Sequence, residues 1–301
     1  MAGNRGGGPV AQADVGIIGG SGLYEMEGLT DVVVHRAETP FGAPSGDIVI
    51  GTLAGVRTAF LPRHGPGHRI SPSELPAQAN IWALKMLGVR HILSVSAVGS
   101  LREEMAPRHV VIPDQLIDRT RGRRPSTFFD RGIVAHVAFA EPFCPTLRSI
   151  VGEAAQAELG AGEVHDSGTL VVMEGPQFST RAESHMHRQL GAHLIGMTAL
   201  PEAKLAREAE ICYCTLAMVT DYDTWHDSHD SVTVEMVVGN LLANAAHGQA
   251  IVAAALPRIM AHDADCECGD ALATAIITQR EAIPPERLEA LWPLIGRYFD
   301  A

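Results

Sequence analysis

Cationic side chains are scarce. The chain has 23 Lys and Arg against 35 Asp and Glu, a formal net charge of -12. That balance argues against binding nucleic acid or an anionic membrane through bulk electrostatics. An anionic substrate would need its own local pocket. Long apolar runs are missing too, since none approaches the roughly 18–20 residues of a membrane helix. Residues 1–14 are Gly-rich and polar and lack the apolar core of a signal peptide. We expect a disordered tail there and a cytoplasmic protein. The five cysteines are an odd number in a long chain and do not make a secreted disulfide framework.

What is present is alternation. At 301 residues the chain can bury a sizeable core. Short apolar runs read as strands at 15–18, 91–95, 110–112, 168–173, 193–196 and 211–219, with helical patterns at 73–87, 146–159, 181–190, 200–210 and 233–256. Between 32 and 61 the alternation suggests short, partly antiparallel strands. This predicts an α/β fold: one domain over 15–262 with a central mixed β-sheet flanked by helices. An acidic hinge and a C-terminal segment over 263–301 then pack on that domain or on a neighbour.

The run Ile211 to Val219 is almost wholly apolar and then breaks into Thr220-Asp-Tyr-Asp223. It reads as a strand buried on both faces, with two carboxylates at its carboxyl end, where open α/β sheets bind ligands. An acidic turn in solvent is the competing reading. Other expected strand ends also carry small polar or cationic groups: Ser21, Arg63 with His64, Ser96, Phe178 with Ser179, and Met197 with Thr198. Ser21, Arg63, His64, Ser96 and Thr198 are donor types that hold a phosphate dianion. Phe178 can pack on a flat ring, and Asp221 and Asp223 can accept hydrogen bonds or give a proton. Together they suit cleavage of a purine nucleoside by phosphate. No cofactor is needed, because inorganic phosphate is a co-substrate. No metal is expected either: His64 and His68 are four apart, but Gly65-Pro-Gly67 between them forbids a helix. His185, His187, His226 and His229 read as surface or rim residues, the basic stretch 119–124 as a solvent or subunit-contact loop, and Cys266-Glu-Cys268 as solvated tail.

Several motifs carry a resemblance. Gly16-Ile-Ile-Gly-Gly-Ser-Gly-Leu23, Arg63-His-Gly65, Gln78-Ala-Asn-Ile-Trp-Ala-Leu-Lys85, Gly99-Ser-Leu-Arg-Glu-Glu104, Glu141-Pro-Phe-Cys144, Glu174-Gly-Pro-Gln-Phe-Ser179 and Thr220-Asp-Tyr-Asp223 resemble those of 5′-methylthioadenosine phosphorylases, in the trimeric purine nucleoside phosphorylase family. The resemblance covers roughly residues 15–260. Ser21 and Ser96 stand where threonines are common, the loop near Asp130 is shorter, and the tail after Asp263 matches poorly. The resemblance implies phosphorolysis of 5′-methylthioadenosine to adenine and 5-methylthioribose 1-phosphate by a homotrimer. It implies that Ser21, Arg63, His64, Ser96, the Ala97 N–H and Thr198 bind phosphate. Phe178, Ser179, Asp221 and Asp223 would bind the base, and Met197 would lie under the ribose. Val234, Val237 and Val238 would line the 5′ pocket, joined by His136 of a neighbouring subunit. In a minority of the family, chiefly thermophilic members, a Cys-x-Cys tail is tied by disulfides; here we expect free thiols.

The chemistry agrees. Carboxylates accept from the exocyclic amine of adenine, whereas an ionised Asp repels the O6 of a 6-oxopurine. A protonated Asp near N7 acts as general acid, and burial beside a second carboxylate raises its pKa. Two alternatives remain: a phosphorylase of 6-oxopurine nucleosides or methylthioinosine, and a non-catalytic nucleoside-binding protein.

Overall fold

A computed structural model describes residues 12–20, 26–122, 124–226, 234–262 and 266–299; the side chains of 234–237 and 241–243 lie outside that description. The sequence-predicted Ser21, Val234 and Val237 side chains and His229 therefore lie outside the described residues.

Among the described residues the strands form one mixed eleven-stranded sheet. Its centre is β5 (His91–Ser100), flanked by β1 (Val15–Gly19) and β11 (Cys212–Asp221), both parallel to it. Beyond β1 lies β4 (Val56–Pro62), parallel to it, followed by the antiparallel β3 (Ile48–Leu53) and β2 (Thr30–His35). On the same side of β5, further along, β10 (Leu194–Gly196) pairs antiparallel with Gly99 and Ser100. It leads to β9 (Thr169–Met173) and β7 (Gln115–Arg119). The short β6 (Val110–Val111) and β8 (Val164–His165) extend the β11 side.

Helices cover both faces. On one, α1 (Ala77–Met86), α4 (Ala199–Glu208) and α6 (Pro285–Ile295) bury Ile81, Leu84, Leu205, Leu291 and Leu294. On the other, α2 (Pro145–Leu159) and α5 (Val234–Ala261) bury Leu147, Val151, Ile251 and Leu256. Between the layers β11 is buried at every position, as its continuous apolar run requires. Each buried Leu or Ile contributes about 1.5–3 kcal/mol relative to an exposed one. The C-terminal segment joins the first layer: Leu272, Ala275, Ile283 and Ile295 lie in the same cluster as α1 and α4.

Two strands run further than their apolar runs suggest. β5 continues through Ser96 to Ser100 because β11 pairs with it as far as Gly99. β11 continues through Thr220 to Asp221, with a register shift between Val219 and Asp221. Such an irregularity re-aims side chains at a strand end. The side-chain amides of Asn240 and Asn244 on α5 donate to the carbonyls of Thr220 (2.7 Å) and Val219 (3.1 Å), fixing the shifted segment against that helix.

Candidate active site

The sheet splits beside β5. Pairing with β1 stops at Ser94, and pairing with β10 starts at Gly99. The intervening Val95, Ser96, Ala97 and Val98 line a cavity of about 260 Å³. Its wall also includes Gly20, His64, Met173, Phe178, Ser179, Met197, Thr198, Asp221 and Asp223. Strand ends separated in sequence thus reach one pocket, as expected at the carboxyl edge of a parallel sheet.

One end is built from hydroxyls. Ser96 Oγ and Thr198 Oγ1 lie 3.2 Å apart. His64 lines the same cavity, and its Nδ1 sits 2.8 Å from the Ile70 carbonyl. A carbonyl only accepts, so Nδ1 carries the hydrogen and Nε2 keeps a lone pair. Burial, aided by the Arg63 charge, lowers this histidine to about 4, against the Ile70 bond that raises it. The ring is neutral near pH 7.

Arg63 lies behind that end. It is 2 % exposed, and its Nε donates to Glu202 Oε1 at 2.6 Å. Its other bonds reach the Val95 and Ile18 carbonyls and Ser94 Oγ. Arg63 therefore ties the end of β1 to the middle of β5 while lining the cavity.

The other end holds the carboxylates. Asp221 and Asp223 are 6 % and 8 % exposed. Asp221 accepts from Thr220 Oγ1 at 2.7 Å and from the Asp223 N–H at 2.8 Å. Asp223 Oδ2 is buried with no hydrogen-bond partner among the described residues. Burial raises both carboxyls above the usual range. The Thr220 and Asp223 N–H bonds moderate Asp221, which the Asp223 charge raises further; the hydroxyls of Ser184 and Ser179 moderate Asp223. Gly99 makes room for this pair, since a Cβ there would meet Asp221 Oδ1 at 2.9 Å. Ser179 and Ser184 are held by the start of α3 (Arg181–Gln189). There Thr180 Oγ1 accepts from the Glu183 N–H, and Glu183 Oε2 accepts from the Thr180 N–H at 2.9 Å.

Several readings need correction. The 119–124 stretch is not simply a solvent loop. Arg124 is 6 % exposed, and its Nε donates to Glu174 at 3.1 Å. Its Nη1 donates to the Met197 and Leu200 carbonyls at 2.6 and 2.9 Å. Burial alone would raise Glu174, but bonds from Ser73, the Arg121 N–H and Arg124 outweigh it and hold its carboxyl at about 2. This clamp seats Met197 below Gly175, where a Cβ would fall 2.5 Å from the Met197 sulfur. A charge run is normally solvated, and nothing local marks Arg124 as the buried member; Glu174 in its Glu-Gly-Pro motif was the available signal. His187 is not a rim residue either: it is 4 % exposed on α3, near Asp223. Cys268 is 3 % exposed, so the Cys-x-Cys is not solvated tail.

The mostly apolar stretch 135–140 is exposed at alternate positions only. Ala135, Val137 and Phe139 pack on the core, and Ala135 bridges to Ile276 of the C-terminal segment. His136 faces outward, away from this chain's cavity lining. Phe178 and Val238 are 44 % and 45 % exposed.

Comparison with known proteins decides the family. Residues 14–257 match the model of the phosphorylase superfamily. The chain belongs to that superfamily. It is 59 % identical over 288 residues to an S-methyl-5′-thioadenosine phosphorylase of Chloroflexus aurantiacus, covering 96 % of this chain and 99 % of the relative. It is 55 % identical over 284 residues to one of Geobacter sulfurreducens, covering 94 % and 98 %. Among solved structures, a methylthioadenosine phosphorylase from an Antarctic soil metagenomic library superposes with a TM-score of 0.90 at 50 % identity, covering 94 % of this chain and 99 % of that one. The Schistosoma mansoni enzyme in complex with adenine gives 0.80 at 36 %, covering 89 % and 99 %. The mixed sheet flanked by helices is the superfamily's architecture.

Proposed function

We propose that this chain catalyses phosphorolysis of 5′-methylthioadenosine, giving adenine and 5-methylthioribose 1-phosphate. One observation carries the reading: a buried carboxylate pair with an unpartnered oxygen faces the same cavity as a hydroxyl-lined anion end. The near full-length relatives of that activity accord with it.

The hydroxyls of Ser96 and Thr198, the Ala97 N–H and Ser21 hold phosphate. Neutral His64 accepts the hydrogen of a hydrogen-phosphate oxygen through Nε2. Arg63 positions this end from behind. Adenine stacks against Phe178, with Ser179, Asp221 and Asp223 along its polar edge, and the ribose lies over Met197. As the C1′–N9 bond breaks, a phosphate oxygen attacks C1′ and the bond's electron pair passes into the purine. A proton from the aspartate pair neutralises N7. The reaction needs one proton on the pair, and burial raises both carboxyls. The chemistry requires no metal or organic cofactor.

The same reading makes the enzyme a cytoplasmic homotrimer with shared sites; five free thiols accord with a reducing compartment. Phe178, exposed at the cavity wall, leaves the pocket in need of an apolar cover, which a neighbour's 135–140 stretch, including His136, supplies around a closed ring. The family resemblance assigns Val234, Val237 and Val238 to the same lining.

The test is a panel of methylthioadenosine, adenosine, methylthioinosine and inosine, each with and without phosphate. Phosphate-dependent release of adenine, fastest from methylthioadenosine, is expected. Faster release of hypoxanthine overturns the base assignment, and binding without release makes the protein a carrier. Light scattering with activity along a dilution series tests the shared site: a monomer with full specific activity refutes it.

A further inference from the structure

The sheet's far end carries a second cluster. The Sγ atoms of Cys144, Cys212, Cys266 and Cys268 all lie within 4.8 Å of one another. They come from three separate places. Cys144 is the N-cap of α2, Cys212 opens β11, and Cys266 and Cys268 lie in the segment after α5. Cys144, Cys212 and Cys268 are buried, and Cys266 is partly exposed. All four are free thiols, and Cys212 and Cys266 sulfurs are 3.4 Å apart.

Four thiols can pack as small apolar groups. Their placement fits something more specific. Tetrahedral zinc with four thiolates has Zn–S near 2.3 Å, which sets the sulfurs about 3.8 Å apart. The observed cluster brackets that spacing. The Leu147 N–H points at the Cys144 sulfur from 3.5 Å, the kind of outer hydrogen bond that steadies a thiolate ligand. A cleft lined by Arg90, His91, Cys212, His262 and Cys266 reaches the cluster from solvent. It gives an ion a way in.

We propose that Cys144, Cys212, Cys266 and Cys268 form a tetrathiolate site for a soft divalent cation, Zn²⁺ in the cell. Four protein ligands leave no open position, so the ion is structural. Cys212 and Asp221 stand at opposite ends of β11, roughly 30 Å apart at about 3.3 Å per residue. The ion stays out of the phosphorolysis and fastens the C-terminal segment to the starts of α2 and β11. Binding Zn²⁺ releases the thiol protons and involves no redox step.

The experiment uses full-length protein, purified reduced and without chelator. We expect one zinc per chain by elemental analysis. After metal removal under reducing conditions, Co²⁺ should bind one to one with the intense visible bands of a tetrahedral thiolate complex. Cys266→Ser and Cys268→Ser should each weaken Co²⁺ binding at least tenfold and alter the spectrum. Cys214→Ser should change neither, because Cys214, though buried on the same strand, is outside the cluster. Reduced wild-type protein that takes up neither Zn²⁺ nor Co²⁺ overturns the proposal. Native protein with no metal and with these cysteines paired as disulfides overturns it too.

Discussion

Glu202 and the Asp221–Asp223 pair are buried to a similar degree, 2 % exposed against 6 % and 8 %. Their surroundings are opposite. Glu202 faces a cation, with Arg63 Nε at 2.6 Å, and also accepts from Ser94 at 3.1 Å and Tyr213 at 2.9 Å. Among the described residues no Arg or Lys pairs with the aspartates, and one buried oxygen has no hydrogen-bond partner. A buried charge normally requires compensation. Where it has it, as at Glu202, the group holds strands together. Where compensation is incomplete, the proton and a ligand are left to complete it, which marks the chemistry.

Replacing the incomplete pair should give the largest effect. Asp221→Asn with Asp223→Asn should lower kcat/KM for methylthioadenosine by roughly 10²–10⁴, the usual worth of a positioned acid. Methylthioinosine should be relatively favoured, since asparagine can donate to O6. Stability should not fall. Burial holds both native pKa values above the unfolded ones, so these groups contribute stability at low pH that is lost as pH rises through the folded pKa. Their removal at neutral pH therefore removes a cost. A lower melting temperature with unchanged base preference would erase the contrast with Glu202.

Glu202→Gln should do the reverse. It removes the carboxylate that Arg63 Nε meets at 2.6 Å, and breaking one side of a buried pair typically costs about 3–5 kcal/mol. Denaturant unfolding should show that loss, and activity should fall with the displaced strands. A cost under about 1 kcal/mol, as for an exposed pair, would mean that β1 and β5 are held by other contacts.

This contrast explains what was legible beforehand. The order of strands and helices follows from apolar periodicity, because burial writes that pattern directly. The cavity residues showed as polar groups at strand ends. Ser96 was legible although its strand continues past it, since residue type and approximate position were enough. The Arg124–Glu174 clamp, the Arg63–Glu202 pair and the thiol cluster were not legible. Each joins residues far apart in sequence, and no local periodicity distinguishes a buried Arg or Cys from a solvated one. His136 was placed by resemblance alone, since no pattern in the chain marks an exposed histidine as belonging to a site.

Glu208 sharpens the comparison with the smallest effect. It is 5 % exposed and, like the aspartates, has no Arg or Lys paired with it among the described residues, yet both its oxygens are engaged. Thr127 Oγ1 donates at 2.7 Å and the Phe128 N–H at 2.6 Å. Burial pushes its carboxyl to about 7, against those two bonds. The folded pKa lies above the unfolded one, so stability is full below about 4.5 and declines as pH rises towards 7. The slope has an upper limit of about 1.4 kcal/mol per pH unit. Glu208→Gln should flatten it. A glutamine oxygen can accept from Phe128, and one amide N–H can donate to the Thr127 hydroxyl, so both contacts are kept. The variant should therefore match wild type at pH 5 and exceed it slightly at pH 8. Activity should be unchanged, because this carboxylate is satisfied by its own chain. Unfolding curves at the two pH values decide it: an unchanged slope would show that Glu208 stays ionised at pH 5, and that two hydrogen bonds suffice to hold a buried carboxylate without a cation.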